Sequence, residues 1–170
     1  FGWHLLTKEA IPIMRKQGFG RIIQNSSVLG FAALRYRGAY NATKFALEGL
    51  TDTLRLELYD TGIKVILIEP GPIRTKIREN SYPHFKKSIK WKDSPNGSIY
   101  EKYLIPRLEQ VDPPMDRFEL MPSAVSKAVI HACTSKNPHN RYRVTLATKI
   151  IMILKRLLTS KAFDSIARKI

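Results

Sequence analysis

The sequence has little of several residue types that would assign it to a class at once. Its 170 residues contain one cysteine, Cys133, so no disulfide can form within the chain, and a reducing compartment, the cytoplasm, is expected. The lone thiol sits among small residues of an apolar helical pattern, which favours a packing role over a reactive one. The longest apolar run of the basic C-terminal stretch covers residues 150–154, far short of the roughly 20 residues that cross a bilayer.

Acidic side chains are scarce. The chain has 14 Asp and Glu against 29 Lys and Arg, a net charge of +15, which favours an anionic partner such as nucleic acid, anionic lipid or an anionic cofactor. No basic loop interleaved with aromatic residues and no recognition-helix pattern is present, so nucleic acid is not expected. Hydrophobic residues make up 44% of the chain, enough for one domain with a buried core.

The sequence gives little support for a metal site or for a serine hydrolase. The four histidines occur in unrelated segments and without the spacing of metal ligands, so no metal site is predicted. They are His4, His84, His131 and His139. A serine hydrolase would use Ser26 or Ser27, but neither lies in a Gly-x-Ser-x-Gly turn.

The most informative stretch is residues 20–45, GRIIQNSSVLGFAALRYRGAYNATKF. A short apolar run that ends in small polar residues predicts a buried strand, with Ser27 at its carboxyl end. A helix is predicted over residues 39–59, and Tyr40 and Lys44 are four residues apart on one of its faces. An ammonium beside a phenol stabilises the phenolate, so this pair suits proton transfer.

These residues resemble a known family. Ser27, 13 positions before Tyr40-Asn-Ala-Thr-Lys44, followed by the strand and Pro70-Gly71 turn of IKVILIEPGPIRT, is similar to the short-chain dehydrogenase/reductase (SDR) pattern. The resemblance implies an α/β fold, a Rossmann-like doubly wound parallel sheet. More loosely, the C-terminal part resembles a bacterial subgroup near aldehyde and retinol-type reductases.

The resemblance also implies an activity and a site. The parent would be an NAD(P)(H)-dependent oxidoreductase that interconverts an aldehyde or ketone and an alcohol, with NADP expected and NAD open. Ser27, Tyr40 and Lys44 would be catalytic. Tyr40, Lys44, Pro70, Gly71, Ile73 and Thr75 would contact the cofactor. The alternatives are a non-enzymatic binding or scaffold protein on the same fold, or an inactive fragment.

The sequence lacks the glycine-rich phosphate turn of that family, and it does not begin with methionine. It is therefore expected to be the C-terminal portion, residues 1–170, of a single domain whose first βαβαβ half is missing, and to be inactive alone. A fourth catalytic residue of the family, an asparagine, would fall just before Phe1.

The remaining segments carry further expectations. An amphipathic helix is predicted over residues 1–17, with Trp3, Leu6, Ala10, Ile13 and Met14 on one stripe. Strands are predicted over residues 64–69 and 141–146, and a helix over residues 122–135. Residues 74–120 show no lasting periodicity and five prolines, and by resemblance they form a substrate lid whose aromatic side chains suit a small apolar substrate or anchor the lid.

Contacts with other molecules are expected at two places. By resemblance, the helices over residues 1–17 and 39–59 form a homodimer face. Gly49 there fits either close approach of a second copy or an ordinary core contact. The tail, residues 144–170, alternates apolar and basic side chains, which fits peripheral contact with anionic lipid or packing onto the protein.

Overall fold

The computed structural model describes residues 2–110 and 114–168. Some predictions concern residues outside these ranges. They are Phe1 at the start of the first helix, Pro113 in the lid segment, and Lys169 and Ile170 at the end of the tail.

The described residues form a three-stranded parallel sheet in the order β1-β2-β3. Strand β1 spans Gly20–Asn25, β2 spans Ile63–Glu69 and β3 spans Arg141–Arg143. Gly20 pairs with Ile63 at the start of the β1–β2 ladder. Because all strands run the same way, their carboxyl ends meet at one edge of the sheet, where open α/β sheets bind ligands.

Both faces of the sheet are covered, which explains the near-continuous apolar sequence of β2. On one face, Ile22 and Val65 pack with residues of the first two helices. On the other face, Ile66 and Ile68 pack with Ala132 of a later helix. The predicted parallel α/β architecture is confirmed.

Helices connect and flank the strands. Their bounds are α1 Gly2–Gln17, α2 Gly38–Glu57, α3 Ile77–Ser88, α4 Gly97–Ile99, α5 Ile105–Glu109, α6 Pro122–Thr134, α7 Leu146–Leu157 and α8 Ser160–Ala167. Short 3₁₀ turns cover Val28–Gly30 and Trp91–Asp93, and a π-helical turn covers Tyr100–Leu104.

The structure corrects the prediction for residues 74–120, which contain regular structure. Helix α3 forms there despite Pro83 within it, and α5 packs against α3. Tyr82 of α3 donates a hydrogen bond to the Glu109 carboxylate of α5, and the ring of Phe85 lies 6.2 Å from that of Tyr100. These contacts between distant residues stabilise a helix that has no strong apolar periodicity of its own.

The last strand is shorter than predicted. β3 ends at Arg143, and Thr145 caps helix α7 by accepting a hydrogen bond from the Thr148 amide at 3.2 Å. The alternation over residues 141–146 therefore includes the start of a helix, because a threonine at the N-cap satisfies an amide that has no partner within the helix.

Helix α1 does not bury its predicted apolar stripe as a whole. Ile11 and Met14 pack on the core, whereas Trp3, Leu6 and Ile13 are 50, 71 and 66% exposed.

In the tail, Leu146, Ile150, Ile153 and Leu157 form an exposed stripe along α7. Among residues 2–110 and 114–168, the helices are all too short or too polar to cross a bilayer.

Candidate active site

The ends of β1 and β2 are joined beyond the sheet itself. The Ser26 amide donates to the Ile68 carbonyl at 2.8 Å, and the Val28 amide donates to the Pro70 carbonyl at the same distance. Ser27 lies between these two bonds. The structure therefore brings the Ser27 segment and the Pro70-Gly71 turn together at the carboxyl edge of the sheet.

Ser27 begins the short 3₁₀ turn after β1. Its hydroxyl oxygen accepts a hydrogen bond from the Leu29 amide at 3.1 Å, which fixes the side chain while leaving its O–H free to donate. Gly30 is required close by, because a Cβ there would lie 2.6 Å from the Ser26 hydroxyl oxygen and 2.7 Å from Cγ of Glu48. The backbone around Ser27 is thus tightly packed against α2.

Helix α2 carries Tyr40 in its first turn and Lys44 one turn later. The Lys44 Nζ lies 5.7 Å from the centre of the Tyr40 ring, as the four-residue spacing predicted. Tyr40 is 43% exposed, whereas Lys44 is buried. The phenol can therefore meet a ligand while the ammonium beneath it is held by protein.

Two further contacts fix the Lys44 ammonium. Its Nζ donates to the Asn25 carbonyl at 2.8 Å and lies 4.7 Å from the centre of the Trp3 ring. Burial lowers the pKa of Lys44, and the carboxylate of Glu48, one turn further along α2, acts in the opposite direction. An ammonium has three N–H donors, so donors remain for a ligand hydroxyl.

The Pro70-Gly71 turn packs directly on the start of α7. A Cβ at Gly71 would lie 2.1 Å from Oγ1 of Thr145 and 2.5 Å from Oγ1 of Thr148. These two hydroxyls are 2.9 Å apart and fully buried. Only glycine permits this approach, so the turn packs directly against the first turn of α7.

Ile73 and Thr75 follow the turn in an extended segment. Leu120 donates to the Pro72 carbonyl at 3.1 Å and accepts from the Arg74 amide at 2.9 Å. Both bonds involve the neighbours of Ile73, so in this extended backbone the amide and carbonyl of Ile73 itself point to the opposite side. A donor and acceptor pair with this spacing fits a carboxamide like that of nicotinamide.

An ion-pair cluster joins helix α2 to the end of strand β2, the two elements that carry the candidate site. Arg141 of β3 donates to the carboxylates of Glu48 in α2 and Glu69 at the end of β2, and it reaches Asp52 at 2.5 Å. Glu69 is fully buried and also lies 3.2 Å from Arg143. The cluster fixes α2 relative to the strand that leads into Pro70-Gly71.

A cavity of about 430 Å³ lies between α1 and the outer edge of β1. Trp3, Thr7, Gln24 and Lys44 are among its lining residues, but Ser27 and Tyr40 are not. The cavity follows the side of β1 that no strand covers in the described part of the chain. We therefore place the candidate site at the strand ends, where the polar groups converge, and not in this cavity.

Sequence reasoning proposed Ser27, Tyr40 and Lys44 as catalytic and did not name Trp3 or Glu48, which contact or neighbour Lys44 in the structure. Glu48 lies four residues after Lys44, so helical spacing could have indicated it. Trp3 could not be found in this way, because it reaches Lys44 from another helix. In residues 2–110 and 114–168, no group of three or more His, Cys, Asp or Glu is arranged to hold a metal ion.

The chain is similar in sequence to known proteins. A family model described as short chain dehydrogenase matches residues 1–85. An uncharacterized oxidoreductase of Escherichia coli K12, YbbO, is 43% identical over 166 residues, which cover 98% of this chain and 55% of the relative. The chain thus spans about half the length of the curated relatives it matches.

Solved structures show the same fold. A short-chain dehydrogenase from Streptomyces avermitilis superposes with a TM-score of 0.66 at 25% identity, covering 99% of this chain and 55% of that protein. A serine dehydrogenase in its closed form, complexed with NADP+, superposes with a TM-score of 0.58 at 26% identity. That match covers 86% of this chain and 52% of the neighbour.

Proposed function

The chain belongs to the short-chain dehydrogenase/reductase family, and from this we propose that the whole protein is an NADP(H)-dependent oxidoreductase that interconverts a carbonyl compound and an alcohol. One observation carries the proposal. The buried Lys44 ammonium lies 5.7 Å from the ring of the exposed Tyr40, at the edge of the sheet where Ser27 and Pro70-Gly71 meet. NADP is favoured because the serine dehydrogenase that shares this fold was crystallised with NADP+.

Each residue has a distinct role in the proposed reaction. The Ser27 O–H donates to the carbonyl oxygen of the substrate and orients it. Tyr40 gives a proton to that oxygen during reduction and takes one from the alcohol during oxidation. Lys44 stabilises the phenolate by its charge and donates to the ribose hydroxyls of the cofactor. Its bonds to the Asn25 carbonyl and the Trp3 ring hold it in place for both tasks.

The cofactor, when bound, would supply or accept the hydride. In this proposal, the amide and carbonyl of Ile73 hold its carboxamide, and the Thr75 hydroxyl donates to a phosphate. Pro70 and Gly71 form the wall behind the ring, and α7 supports that wall. Because Lys44 is largely buried, water screens its charge less than it would screen an exposed ammonium.

Replacement of Tyr40 by phenylalanine tests the function. In the full-length protein, Tyr40→Phe should lower kcat by roughly a hundred- to ten-thousandfold, the usual contribution of a positioned proton donor. NADPH affinity should stay within about twofold, because the ring remains in place. Steady-state kinetics with small aldehydes, together with fluorescence titration of NADPH, measure both quantities.

Tyr59→Phe is the matched control, because Tyr59 follows the same helix and is 84% exposed. The kcat of Tyr59→Phe should equal that of the wild type. Near-normal kcat in Tyr40→Phe would contradict the proposal. It would instead favour the alternative, a binding or scaffold protein that keeps the fold without the chemistry.

A further inference from the structure

Helix α7 has two faces with different surroundings. On its inner face, Thr148 is fully buried and packs with Thr145 against Gly71. On its outer face, four aliphatic side chains spaced i, i+4, i+7 and i+11 are between 40 and 77% exposed. They form the α7 stripe, namely Leu146, Ile150, Ile153 and Leu157. The helix thus packs on the protein by one face, and the described residues leave the α7 stripe facing solvent.

Basic side chains border the α7 stripe. Lys149 and Arg156 are both exposed and are seven residues apart, so they lie along the same side of the stripe. Residues 144–168 contain five Lys or Arg and a single acidic residue, Asp164. In the part of the chain that the structure describes, no carboxylate forms an ion pair with Lys149 or Arg156. The stripe is therefore bordered by cations that no ion pair neutralises.

Helix α8 is attached to the end of α7 and to the body of the protein. Phe163 of α8 is buried, and the Lys155 Nζ lies 4.9 Å from the centre of its ring. The Arg35 guanidinium donates to the Arg168 carbonyl at 2.9 Å, which joins the end of α8 to the segment after β1. The α7 stripe thus lies on a packed part of the structure and not on a loose tail.

The charge around the α7 stripe favours one kind of partner. A second copy of the same surface would bring two identical basic borders into one interface, because a two-fold interface pairs a surface with itself. A nucleic acid would meet the cations through its phosphates but leave the aliphatic side chains without an apolar partner. An anionic bilayer suits both, since its acyl chains bury the aliphatic side chains and its headgroups attract the basic ones.

The α7 stripe also starts from the far edge of the sheet. Helix α7 follows β3, and β2 separates β3 from the outer edge of β1. A strand that joined β1 would therefore extend the sheet on the side opposite to β3. This placement favours a partner outside the chain as the occupant of the stripe.

We propose that the α7 stripe, with Lys149 and Arg156 at its border, docks on the surface of an anionic lipid bilayer. The helix lies in the plane of the headgroups, because its 12 residues are too few to span the bilayer. Its inner face still packs on the Pro70-Gly71 turn, so the candidate active site lies next to the lipid surface. Lipid docking is independent of the proposed oxidoreductase function, because neither the stripe nor its basic border contains a residue of that site.

Vesicle binding of the full-length protein tests the docking. Co-sedimentation should show that the protein binds vesicles of phosphatidylcholine and phosphatidylglycerol, mixed at about 7:3, roughly tenfold or more tightly than vesicles of phosphatidylcholine alone. Raising NaCl from roughly 0.1 to 0.5 M should weaken binding to the anionic vesicles, because salt screens the basic border. Absence of binding to the anionic vesicles, or equal binding to both kinds, would overturn the proposal.

Two double variants examine the apolar and the basic part separately. Ile153→Gln with Leu157→Gln should lower the partition coefficient by roughly a hundredfold, about tenfold for each aliphatic side chain lost from the bilayer. The matched control is Ile77→Gln with Ile130→Gln, which removes two aliphatic side chains that are 64 and 60% exposed on other helices. This control should bind like the wild type, and equal losses in both double variants would contradict docking through α7.

Lys149→Gln with Arg156→Gln should lower binding to the anionic vesicles by roughly 25-fold, about fivefold for each charge. Binding to phosphatidylcholine alone should not change. Lys8→Gln with Lys16→Gln removes the same net charge from exposed positions of α1 and should keep wild-type binding. An equal loss in this control would show that only the total charge matters and would refute a border specific to α7.

Solution measurements without lipid separate docking from burial of the α7 stripe inside a protein. Ile153→Gln with Leu157→Gln should unfold at the same urea concentration as the wild type, as exposed substitutions usually do. A lower midpoint would show that the rest of the full-length protein covers the stripe, and it would overturn the proposal. In sedimentation velocity, the same variant should keep the oligomeric state of the wild type. Dissociation of the variant would assign the stripe to a second copy of the chain instead of to lipid.

Discussion

At the scale of single residues, Glu69 combines complete burial with a negative charge. It lies directly before Pro70-Gly71 and contacts Arg141 and Arg143. Burial is the largest cause that raises the pKa of Glu69, and the neighbouring Glu48 carboxylate raises it further. The two arginines offset only part of this rise in pKa. A buried ion pair of this kind often contributes little to net stability, because both charges have lost their hydration. Its value here is geometric, since it fixes the end of β2.

Glu69→Gln should change how stability depends on pH. Since the folded-state pKa of Glu69 is raised above the ordinary 4.5, this carboxyl contributes stability that is fully present below pH 4.5 and is lost as pH rises through the raised pKa. The wild type should therefore lose about 1.4 kcal/mol of unfolding free energy for each pH unit of that window, and Glu69→Gln should not. Urea denaturation from pH 4.5 to 7.5 measures this.

Glu57→Gln serves as the comparison, because Glu57 is an exposed carboxylate at the end of α2. It should keep the pH dependence of the wild type. Superimposable profiles for the wild type and Glu69→Gln would show that the arginines fully offset the burial of this carboxylate.

At the scale of elements, the Pro70-Gly71 turn packs closely on the first turn of α7. The Thr145 and Thr148 hydroxyls occupy the space that a side chain at position 71 would need. Thr145 also caps α7 through its hydroxyl oxygen, so it has little freedom to move aside. The turn and the tail are thus one packed unit, although more than 70 residues of sequence separate Gly71 from Thr145.

Gly71→Ala should destabilise the protein by about 1–3 kcal/mol, the cost of forcing extra volume into a packed site. Gly49→Ala should act in the opposite direction and stabilise by up to about 1 kcal/mol, because alanine is the better helix former and no atom lies within 4 Å of its new Cβ. Thermal and urea unfolding of both variants measure these changes. A Gly71→Ala protein as stable as the wild type would show that the two hydroxyls can move apart.

Local pattern predicted some elements well and others poorly, for physical reasons. Helix α2 was expected over residues 39–59 and spans Gly38–Glu57, because its apolar residues recur at helical spacing. Strand β2 is buried on both faces, so its sequence is distinctive. Helix α3 was not expected, because its stability comes from contacts with Tyr100 and Glu109 that lie beyond any local window.

The residues of the candidate site also divide into those that the local sequence indicates and those that it does not. Ser27, Tyr40 and Lys44 could be selected from spacing and resemblance, since a strand end and one face of one helix carry them. Trp3 reaches Lys44 from a separate helix, and no spacing within the sequence encodes such a meeting of two elements. The inactivity of the isolated chain, its cytoplasmic location and the contact of the tail with anionic lipid stay predictions.

At the scale of the whole molecule, helices α1 and α2 leave a large apolar surface uncovered. On α2, Phe45 and Leu56 are 42 and 74% exposed, and Gly49 lies between them on the same stripe. The alternative interpretation of Gly49, a contact within the core, is wrong for the described residues, because a Cβ there meets no atom. We infer that this face pairs with a second copy of the chain.

Gly49→Gln should separate self-association from folding. A long side chain at the centre of the stripe should prevent close approach of a second α2, so sedimentation velocity should show monomers where the wild type is dimeric. The unfolding free energy of the monomer should not fall, since glutamine is a better helix former than glycine. Gly49→Ala should remain dimeric, and a dimeric Gly49→Gln protein would exclude this face as the interface.

The outer edge of β1 has a consequence for how such a chain behaves before it is fully assembled. In the described part of the chain, β1 pairs with β2 on one side only, and the backbone groups of its other side are open to any extended segment. Little there resists edge-to-edge aggregation, because the strand carries Ile22 and Ile23 and has neither proline nor lysine within Gly20–Asn25. Its one charged side chain, Arg21, donates to the Ala132 and Ser135 carbonyls. Newly made copies would therefore join into insoluble sheets unless that edge is covered quickly, and the order in which segments fold would decide the yield of soluble protein.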